Sequence, residues 1–250
     1  MQRYFVSADN WMEDEVHIVG EDVHHIVHVM RMDNGSEILC NHPNGNVCKA
    51  VIKEATNEKV VAKIQTYLDV KTDSPVHATI VQGLPKGDKW ETILQKATEL
   101  GVSEFIPFQA ERSIVKWDKQ KVAKKIERWH KIVKEASEQS HRNTIPIVNK
   151  VLELKEVITR YKDVKHKFFA YEDTAKTNHQ TKLHDHFQSI HEGDSVMICI
   201  GPEGGFSNSE ATFLIENDFQ PIRLGPRILR TETAPLYVLS CLSYYLEEMR

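Results

Sequence analysis

The sequence predicts an α/β protein in which a mainly parallel sheet flanked by helices follows a small antiparallel β-barrel. Up to residue 68 the chain reads as short strands separated by turn residues, which is typical of a small barrel. After Pro75, unbroken apolar strands alternate with amphipathic helices, which is typical of a parallel sheet covered on both faces. We therefore expect two domains, residues 1–70 and residues 71–250.

The elements of the first domain follow one another closely. Asn44 and Gly45 separate two apolar runs, and this pair of residues favours a tight hairpin turn. One helix is expected over residues 21–32, between the second and third strands. The expected strands are residues 3–6, 15–20, 36–41, 47–56 and 59–68.

The second domain alternates strands with helices. In the longest helix the apolar residues recur at spacings of four and three, which places them on one face. Pro235 is expected at the first position of the last helix. The polar segment 174–192 is expected to be a loop with a short helix. The expected helices are residues 89–100, 119–140, 207–217 and 234–249, and the expected strands are residues 77–84, 104–108, 166–172, 195–201 and 220–225.

Composition excludes several classes of protein. No apolar run approaches the ~20 residues of a membrane helix, and the N-terminus has no apolar core of a secretory signal. The four cysteines are scattered without a CxxC pair, so we expect reduced thiols and a cytoplasmic location. Three clustered histidines, His24, His25 and His28, have no acidic or cysteine partner at metal-ligand spacing, so no metal is expected.

Charge is unevenly distributed along the chain. Residues 110–142 contain ten Lys or Arg and five acidic residues, a local charge of +5, although the whole chain carries a formal charge of −4. The rest of the chain therefore carries −9. A concentrated basic face on an acidic protein suits RNA or another polyanion, and a solvated helix face is the alternative.

A glycine turn, "GPEGGFS" at residues 201–207, follows a strongly apolar strand. Ser207 and Glu210 form a capping-box pattern, which predicts that a helix begins there. A phosphate-binding P-loop requires a lysine after the glycines, and here none is present, while Glu203 would repel a triphosphate. The turn therefore suits a ligand without a phosphate chain, or it is a tight turn without a ligand.

A second shaped loop, "RLGPRILRTETAP" at residues 223–235, follows the next strand. It contains a Gly225-Pro226 bend and three arginines, and Arg230 and Glu232 precede a very apolar helix. Ligands of such sheets bind outside the carboxyl ends of the strands, so two adjacent strand ends with shaped loops predict a pocket between them.

The combination of these two motifs resembles the family of 16S ribosomal RNA uracil-N3 methyltransferases, within the SPOUT class of S-adenosylmethionine enzymes. The resemblance extends over the whole chain, through "RYFV", "HHIVHVMRM", "QGLPKGDKWETILQKATELGV", "ERSIVK" and "RWHKIVKEASEQSHR". It implies a C-terminal SPOUT domain with a trefoil knot, a PUA-like N-terminal domain that binds RNA, and a homodimer. It also implies that S-adenosylmethionine is the cofactor and that N3 of a specific uridine, the 1498-type position, is methylated in the small ribosomal subunit.

The expected site residues fall into three groups. Arg230 is expected to hold the pyrimidine anion or a nearby phosphate, and Glu232 is the candidate base; the alternative is that the two only pair with each other and lock the loop. Residues expected to bind the cofactor are Tyr171, Ile200, Gly201, Glu203, Gly204, Gly205, Leu224, Gly225, Ile228, Leu229 and Thr233. Residues expected to bind RNA are Arg3, Arg31, Lys86, Lys89, Arg112, Lys121, Lys124, Arg128, Lys131 and Arg142.

Two other functions are compatible with parts of the sequence. A catalytically silent RNA-binding protein of ribosome assembly would use the same basic face, and cofactor binding separates it from an enzyme. A phosphate-binding nucleotide enzyme is disfavoured because the lysine of a P-loop is absent.

Overall fold

The fold is that of a computed structural model of the chain, which describes residues 1–113, 119–171 and 181–249, with the backbone alone for residues 119–124. The chain divides into two compact units: residues 1–73 with 137–145, and residues 74–136 with 146–250. The expected division after residue 70 differs from this one, because it did not include the return of residues 137–145 to the first unit. Chain order alone does not reveal such a return.

The first unit is built on a five-stranded sheet of order β1-β3-β4-β5-β2. Most pairs are antiparallel, as expected, but β1 pairs parallel with β3. A single helical segment, α1 with a following π-helical turn at His25–Val29, lies between β2 and β3. The element bounds are β1 Arg3–Phe5, β2 Glu15–Val19, α1 Glu21–His24, β3 Glu37–Asn41, β4 Val47–Ala55 and β5 Lys59–Leu68, with a short 3-10 turn at Ala8–Asn10.

The second unit contains a sheet of order β12-β10-β11-β6-β7-β8, with β9 also paired to β7. Every pair is parallel, which confirms the predicted mainly parallel sheet. The strands are β6 His77–Gly83, β7 Glu104–Gln109, β8 Ile147–Val148, β9 Leu152–Glu153, β10 His166–Ala170, β11 Ser195–Ile200 and β12 Gln220–Ile222. The helices are α2 Lys89–Glu99, α3 Lys119–Gln139, α4 Leu154–Arg160, α5 Leu183–Phe187, α6 Asn208–Glu216 and α7 Thr233–Ser243. The trefoil knot stays a prediction.

The apolar faces of the two predicted amphipathic helices are buried in the second unit. Trp90 of α2 and Trp129 of α3 are each about 1% exposed, and their rings meet edge to face at 5.8 Å. Aromatic pairs of this geometry add stability beyond the burial of their area. The spacing of apolar residues in α2 and α3 therefore predicted the packing of these helices correctly.

Some local predictions differ from the structure. The helix α4 was missed, and β8 and β9 are too short to give a sequence signal. Because α7 begins at Thr233, Pro235 is its third residue and not its first. A proline is tolerated there because the first-turn N–H groups have no partner within the helix.

Within the described residues, no helix combines the length and apolar character that a membrane span requires. The same residues contain no group of three or more His, Cys, Asp or Glu arranged to hold a metal ion.

Candidate functional site

A cavity of about 560 Å³ lies in the second unit, outside the carboxyl ends of β10, β11 and β12. Its size is in the range of small-molecule sites, and its position is where open parallel sheets bind ligands. The lining residues are Lys89, Arg112, Ala170, Tyr171, residues 200–206, Asn208, residues 222–225, residues 227–231 and Ala234.

The glycine turn is fixed at its end by the start of α6. Ser207 and Glu210 make both hydrogen bonds of the capping box: the Ser207 N–H donates to Glu210 Oε2 at 2.8 Å, and the Glu210 N–H donates to Ser207 Oγ at 3.1 Å. The predicted capping box is thus confirmed. Phe206 is buried between the rings of Phe108 and Phe169 and anchors the turn to the core.

Two glycines make the shape of the turn feasible. Gly205 has φ +65°, and a Cβ added there would meet no atom within 4 Å, so this position borders open space. At the end of β6, a Cβ on Gly83 would lie 2.5 Å from Pro202, so only glycine allows the turn to pack this closely.

A buried polar network joins three segments beneath the cavity. Gln82 Nε2, at the end of β6, donates to Thr231 Oγ1 at 2.9 Å and to the Gly83 carbonyl at 3.0 Å. The Thr231 hydroxyl donates to the Gly201 carbonyl at 2.7 Å. Because Gln82 and Thr231 are buried, these bonds fix the loop before α7 against the glycine turn.

Lys89, the first residue of α2, pairs with two carboxylates. Its Nζ lies 2.9 Å from Glu203 Oε1 and 3.1 Å from Glu232 Oε2. Burial raises the pKa of the Glu203 carboxyl, but hydrogen bonds from Lys89 and from the Lys86 backbone amide outweigh it and lower the pKa. The hydrogen bond to Glu203, followed by that to Glu232, raises the pKa of the Lys89 ammonium. The Glu203 carboxylate and the Lys89 ammonium therefore stay charged at neutral pH.

The loop after β7 is attached to the glycine turn from the other side. Arg112 Nη1 donates to the Gly204 carbonyl at 3.1 Å. The Glu111 N–H donates to Glu210 Oε1 at 2.9 Å, so the capping glutamate of α6 also holds this loop. The cavity is therefore lined by segments that follow five different strands.

Most residues expected to bind a cofactor line this cavity. Thr233 is the exception: it is exposed, it begins α7, and it is not among the described lining residues. Arg230 lines the cavity, whereas Glu232 is not among the described lining residues. The roles of these residues stay predictions. Those that line it are Tyr171, Ile200, Gly201, Glu203, Gly204, Gly205, Leu224, Gly225, Ile228 and Leu229.

The two shaped loops do not follow adjacent strands, contrary to the prediction. β10 lies between β11 and β12, and for this reason Tyr171, just after β10, lines the cavity. Sequence reasoning missed Arg223 and Arg227, although they belong to the arginine-rich loop that it singled out. It also missed Gln82, since a buried glutamine has no recognisable sequence signal.

Comparison with protein families gives two matches, which do not overlap. Residues 18–65 match the RNA methyltransferase PUA domain. Residues 72–243, well over half of the chain, match the RNA methyltransferase domain. The chain belongs to this RNA methyltransferase family.

Three relatives of this family member match over nearly the whole of both chains. Ribosomal RNA small subunit methyltransferase E of Bacillus subtilis is 44% identical, and the match covers 100% of this chain and 99% of the relative. The same-named protein of Neisseria gonorrhoeae, solved bound to S-adenosylmethionine, has a TM-score of 0.86 at 30% identity over 98% of each chain. A putative methyltransferase of Legionella pneumophila, solved with the same cofactor, has a TM-score of 0.84 at 31% identity over 97% of each chain.

In the structure of this RNA methyltransferase family member, two of the arginines expected to bind RNA are buried. Arg142 is buried and its Nε donates to Asp73 at 2.9 Å. Arg3 is also buried, and its guanidinium donates to the Arg142 carbonyl at 3.0 Å. Burial lowers the pKa of Arg3, partly offset by the charge of Asp73. Both arginines form hydrogen bonds inside the first unit, and their side chains are buried beneath its surface.

The other expected RNA contacts have different surroundings. Arg31 is exposed and has a left-handed backbone with φ 51°. Lys86 and Lys131 are exposed, and Arg128 is exposed but pairs with Glu91 at 2.6 Å. Such surface pairs contribute little stability. The side chains of Lys121 and Lys124 lie outside the described part of α3.

Proposed function

We propose that this protein is an S-adenosylmethionine-dependent methyltransferase that methylates N3 of a specific uridine, the 1498-type position, of 16S ribosomal RNA in the small ribosomal subunit. The observation that carries the proposal is the cavity at the strand ends, formed by the glycine turn and the arginine-bearing loop before α7. Full-length similarity to ribosomal RNA small subunit methyltransferase E supports it.

The residues of the cavity fit this cofactor. S-adenosylmethionine carries a sulfonium, an amine and a carboxylate, and it supplies an electrophilic methyl group. The open space beside Gly205 lets a ligand approach the backbone closely. Tyr171 and Ile228 provide apolar surface, and arginines provide partners for a carboxylate. None of these groups requires a phosphate chain.

The acceptor nitrogen defines what the protein must do. N3 of uracil carries a proton at neutral pH, and after its loss the negative charge spreads to O2 and O4. Arg230 lines the cavity, and we assign to its guanidinium the stabilisation of that charge. Because N3 lies on the pairing edge of the base, the uridine must be unpaired or turned out of its stack.

Glu232 is our candidate for the base, and its position limits the routes by which it can receive the proton. Its Oε2 lies 3.1 Å from the Lys89 ammonium and does not contribute to the described lining. Proton transfer to Glu232 therefore requires a water molecule between base and substrate or a turn of the side chain. We expect most of the rate enhancement to come from holding the cofactor and the uridine in the orientation for reaction.

We also propose a homodimer that works in the cytoplasm, where ribosomal subunits are made. Near the chain end, Tyr244 and Met249 are large, apolar and more than half exposed. Exposed apolar groups of this kind are favoured at interfaces between subunits. Light scattering at micromolar concentration should give twice the chain mass of 28.8 kDa.

The experiment combines purified protein, isotope-labelled S-adenosylmethionine and small ribosomal subunits that lack the modification. Nuclease digestion and mass spectrometry should find one labelled uridine, with the methyl group on N3. Label at another atom or in another RNA would overturn the proposed substrate. Binding of RNA without binding of the cofactor would instead favour the assembly-factor function.

A further inference from the structure

Lys89 forms the centre of a three-residue cluster at the edge of the cavity. Its ammonium joins Glu203, in the glycine turn, to Glu232, in the loop before α7. The three side chains are 22% to 30% exposed. One cation therefore links the two segments that form most of the cavity.

The position of Lys89 is not explained by the stability of its own helix. It is the first residue of α2, and the positive end of the helix dipole disfavours a cation there. Lys96, near the other end of α2, follows the favourable pattern and pairs with Glu99 at 2.8 Å. The partners of Lys89 thus belong to other segments of the chain, and tertiary contacts hold this side chain in place.

A second, deeper layer makes the same connection. In the buried layer, Gln82 joins Gly201 of the glycine turn to Thr231 of the loop before α7. In the more exposed layer, Lys89 joins Glu203 to Glu232. The Lys86 backbone amide adds a hydrogen bond of 3.1 Å to Glu203 Oε1. The stretch from the end of β6 to the first residue of α2 therefore holds both loops at two depths.

We propose that Lys89 is a positioning residue for methyl transfer, which holds the glycine turn and the Arg230–Glu232 loop at a fixed separation. This inference rests on the proposed function. A contact between Lys89 and an RNA phosphate, which the sequence suggested, would compete with both carboxylates for the same ammonium. The two roles predict different kinetic effects.

The decisive variant is Lys89→Met, which keeps most of the side-chain length and removes the charge. We expect kcat for methyl transfer at saturating cofactor and RNA to fall at least about tenfold, as for misplaced reacting groups. The KM for RNA and the salt dependence of RNA binding should remain near wild type. Lys89→Arg should recover part of the rate. Lys96→Met, which also removes a paired lysine from α2, should match wild type.

A measurement without cofactor or RNA tests the structural part. Hydrogen exchange of the free protein should become faster at residues 201–205 and 230–232 in Lys89→Met but not in Lys96→Met. Unchanged exchange in both variants would contradict the proposed link. If Lys89→Met fails to fold, the two glutamates provide the test. Glu203→Gln should speed exchange at residues 230–232, and Glu232→Gln should speed exchange at residues 201–205. If neither variant changes exchange, the proposed link is also overturned.

The opposite kinetic result identifies an RNA contact. In that case Lys89→Met raises the KM for RNA, keeps kcat, and flattens the log-log salt slope by roughly 0.7 to 0.9. This outcome overturns the positioning role of Lys89. Failure of the proposed function is distinguishable, because wild-type protein itself would then bind no S-adenosylmethionine or transfer no methyl group.

Discussion

The hydroxyl of Thr231 donates a hydrogen bond to the carbonyl oxygen of Gly201 at 2.7 Å. The two residues are thirty positions apart and belong to loops after β12 and β11, strands that are separated in the sheet by β10. Thr231 also accepts from Gln82, so it satisfies two buried polar partners at once. The shape of the cavity depends on this junction.

Replacing Thr231 with valine tests the junction. Valine keeps the branched shape but removes the hydroxyl, so the Gly201 carbonyl loses a donor and Gln82 loses an acceptor. We expect a loss of about 1 to 3 kcal/mol in the free energy of unfolding. We also expect weaker S-adenosylmethionine binding, measured by calorimetry, because the loop before α7 is no longer fixed.

Thr159→Val provides the control. The Thr159 hydroxyl donates to the Lys155 carbonyl on the exposed side of α4, so its loss removes a hydrogen bond without burying an unpaired group. It should leave cofactor affinity unchanged. Equal effects of the two substitutions would show that Thr231 has no special part in the site.

Gly205→Val should abolish cofactor binding. The new side chain projects into the open space that borders Gly205, where we place the ligand. Valine also strains the left-handed backbone at φ +65°. Gly193→Val carries the same kind of strain at φ +84°, away from the cavity lining. If Gly205→Val folds and binds the cofactor with wild-type affinity, the proposed position of the cofactor beside Gly205 is wrong.

The sequence was informative where local chemistry determines structure. The Ser207–Glu210 capping box and the faces of α2 and α3 depend on spacing alone, and the structure shows both. The glycine turn and the loop after β12 were correctly placed at strand ends because apolar strands are easy to recognise. They line one cavity even though their strands are not neighbours.

Partners that are distant along the chain could not be predicted from the sequence. Arg142 looks like part of a basic helix end, but Asp73, sixty-nine positions earlier, pairs with it in a buried site. Lys89 begins a predicted helix and looks like an exposed lysine, but its partners are more than a hundred positions away. A count of charges cannot reveal which of them meet in the fold, so only the structure shows these pairings.

A buried carboxylate at the other end of the sheet predicts acid sensitivity. Glu104 Oε1 accepts from Tyr161 at 2.5 Å and from Asn149 at 2.7 Å. Burial raises its pKa, but hydrogen bonds from His77, Tyr161 and Asn149 outweigh it and lower the pKa. Its stabilising effect is therefore present above the unfolded pKa of about 4.3 and is lost as pH falls through the folded value.

Two substitutions at Glu104 separate charge from hydrogen bonding. Glu104→Ala should cost about 1 to 3 kcal/mol at pH 7, since it leaves the partly buried donors Tyr161 and Asn149 unpaired. Glu104→Gln keeps a carbonyl for Tyr161 and Asn149 but does not titrate. Denaturant unfolding between about pH 5 and pH 3 should show a steeper loss of stability for wild type than for Glu104→Gln. Parallel curves would exclude Glu104 as a source of the acid sensitivity.

The basic face of α3 should bind RNA without reading its sequence. Reversal of Lys121 and Lys124 to glutamate should weaken RNA binding and flatten the log-log salt slope by roughly 0.7 to 0.9 for each phosphate that the protein no longer neutralises. Cofactor affinity should not change, since the cavity lies outside the carboxyl ends of the strands. Lys155→Glu with Lys162→Glu, on and just after α4, controls for the change in net charge. Equal weakening by both pairs would show general electrostatics and not a specific face.

Arg230→Ala should separate chemistry from docking. The carbonyl of Arg230 accepts from the N–H groups of Thr233 and Ala234 at the start of α7, and alanine preserves these bonds. The guanidinium is exposed, and no partner for it is found in the described part of the chain. Its removal should therefore leave the fold and cofactor affinity intact, and RNA affinity nearly so.

The rate of methyl transfer by Arg230→Ala should fall about 10²- to 10³-fold at saturating cofactor and RNA, because the charge that develops on O2 and O4 of uracil loses its stabilising donor. Single-turnover transfer to small ribosomal subunits measures this step without interference from product release. Arg160→Ala, which removes an exposed arginine at the end of α4, should transfer at the wild-type rate. If Arg230→Ala also does so, Arg230 only holds the loop, and the developing negative charge must be stabilised by Arg223 or Arg227, the other arginines of that loop.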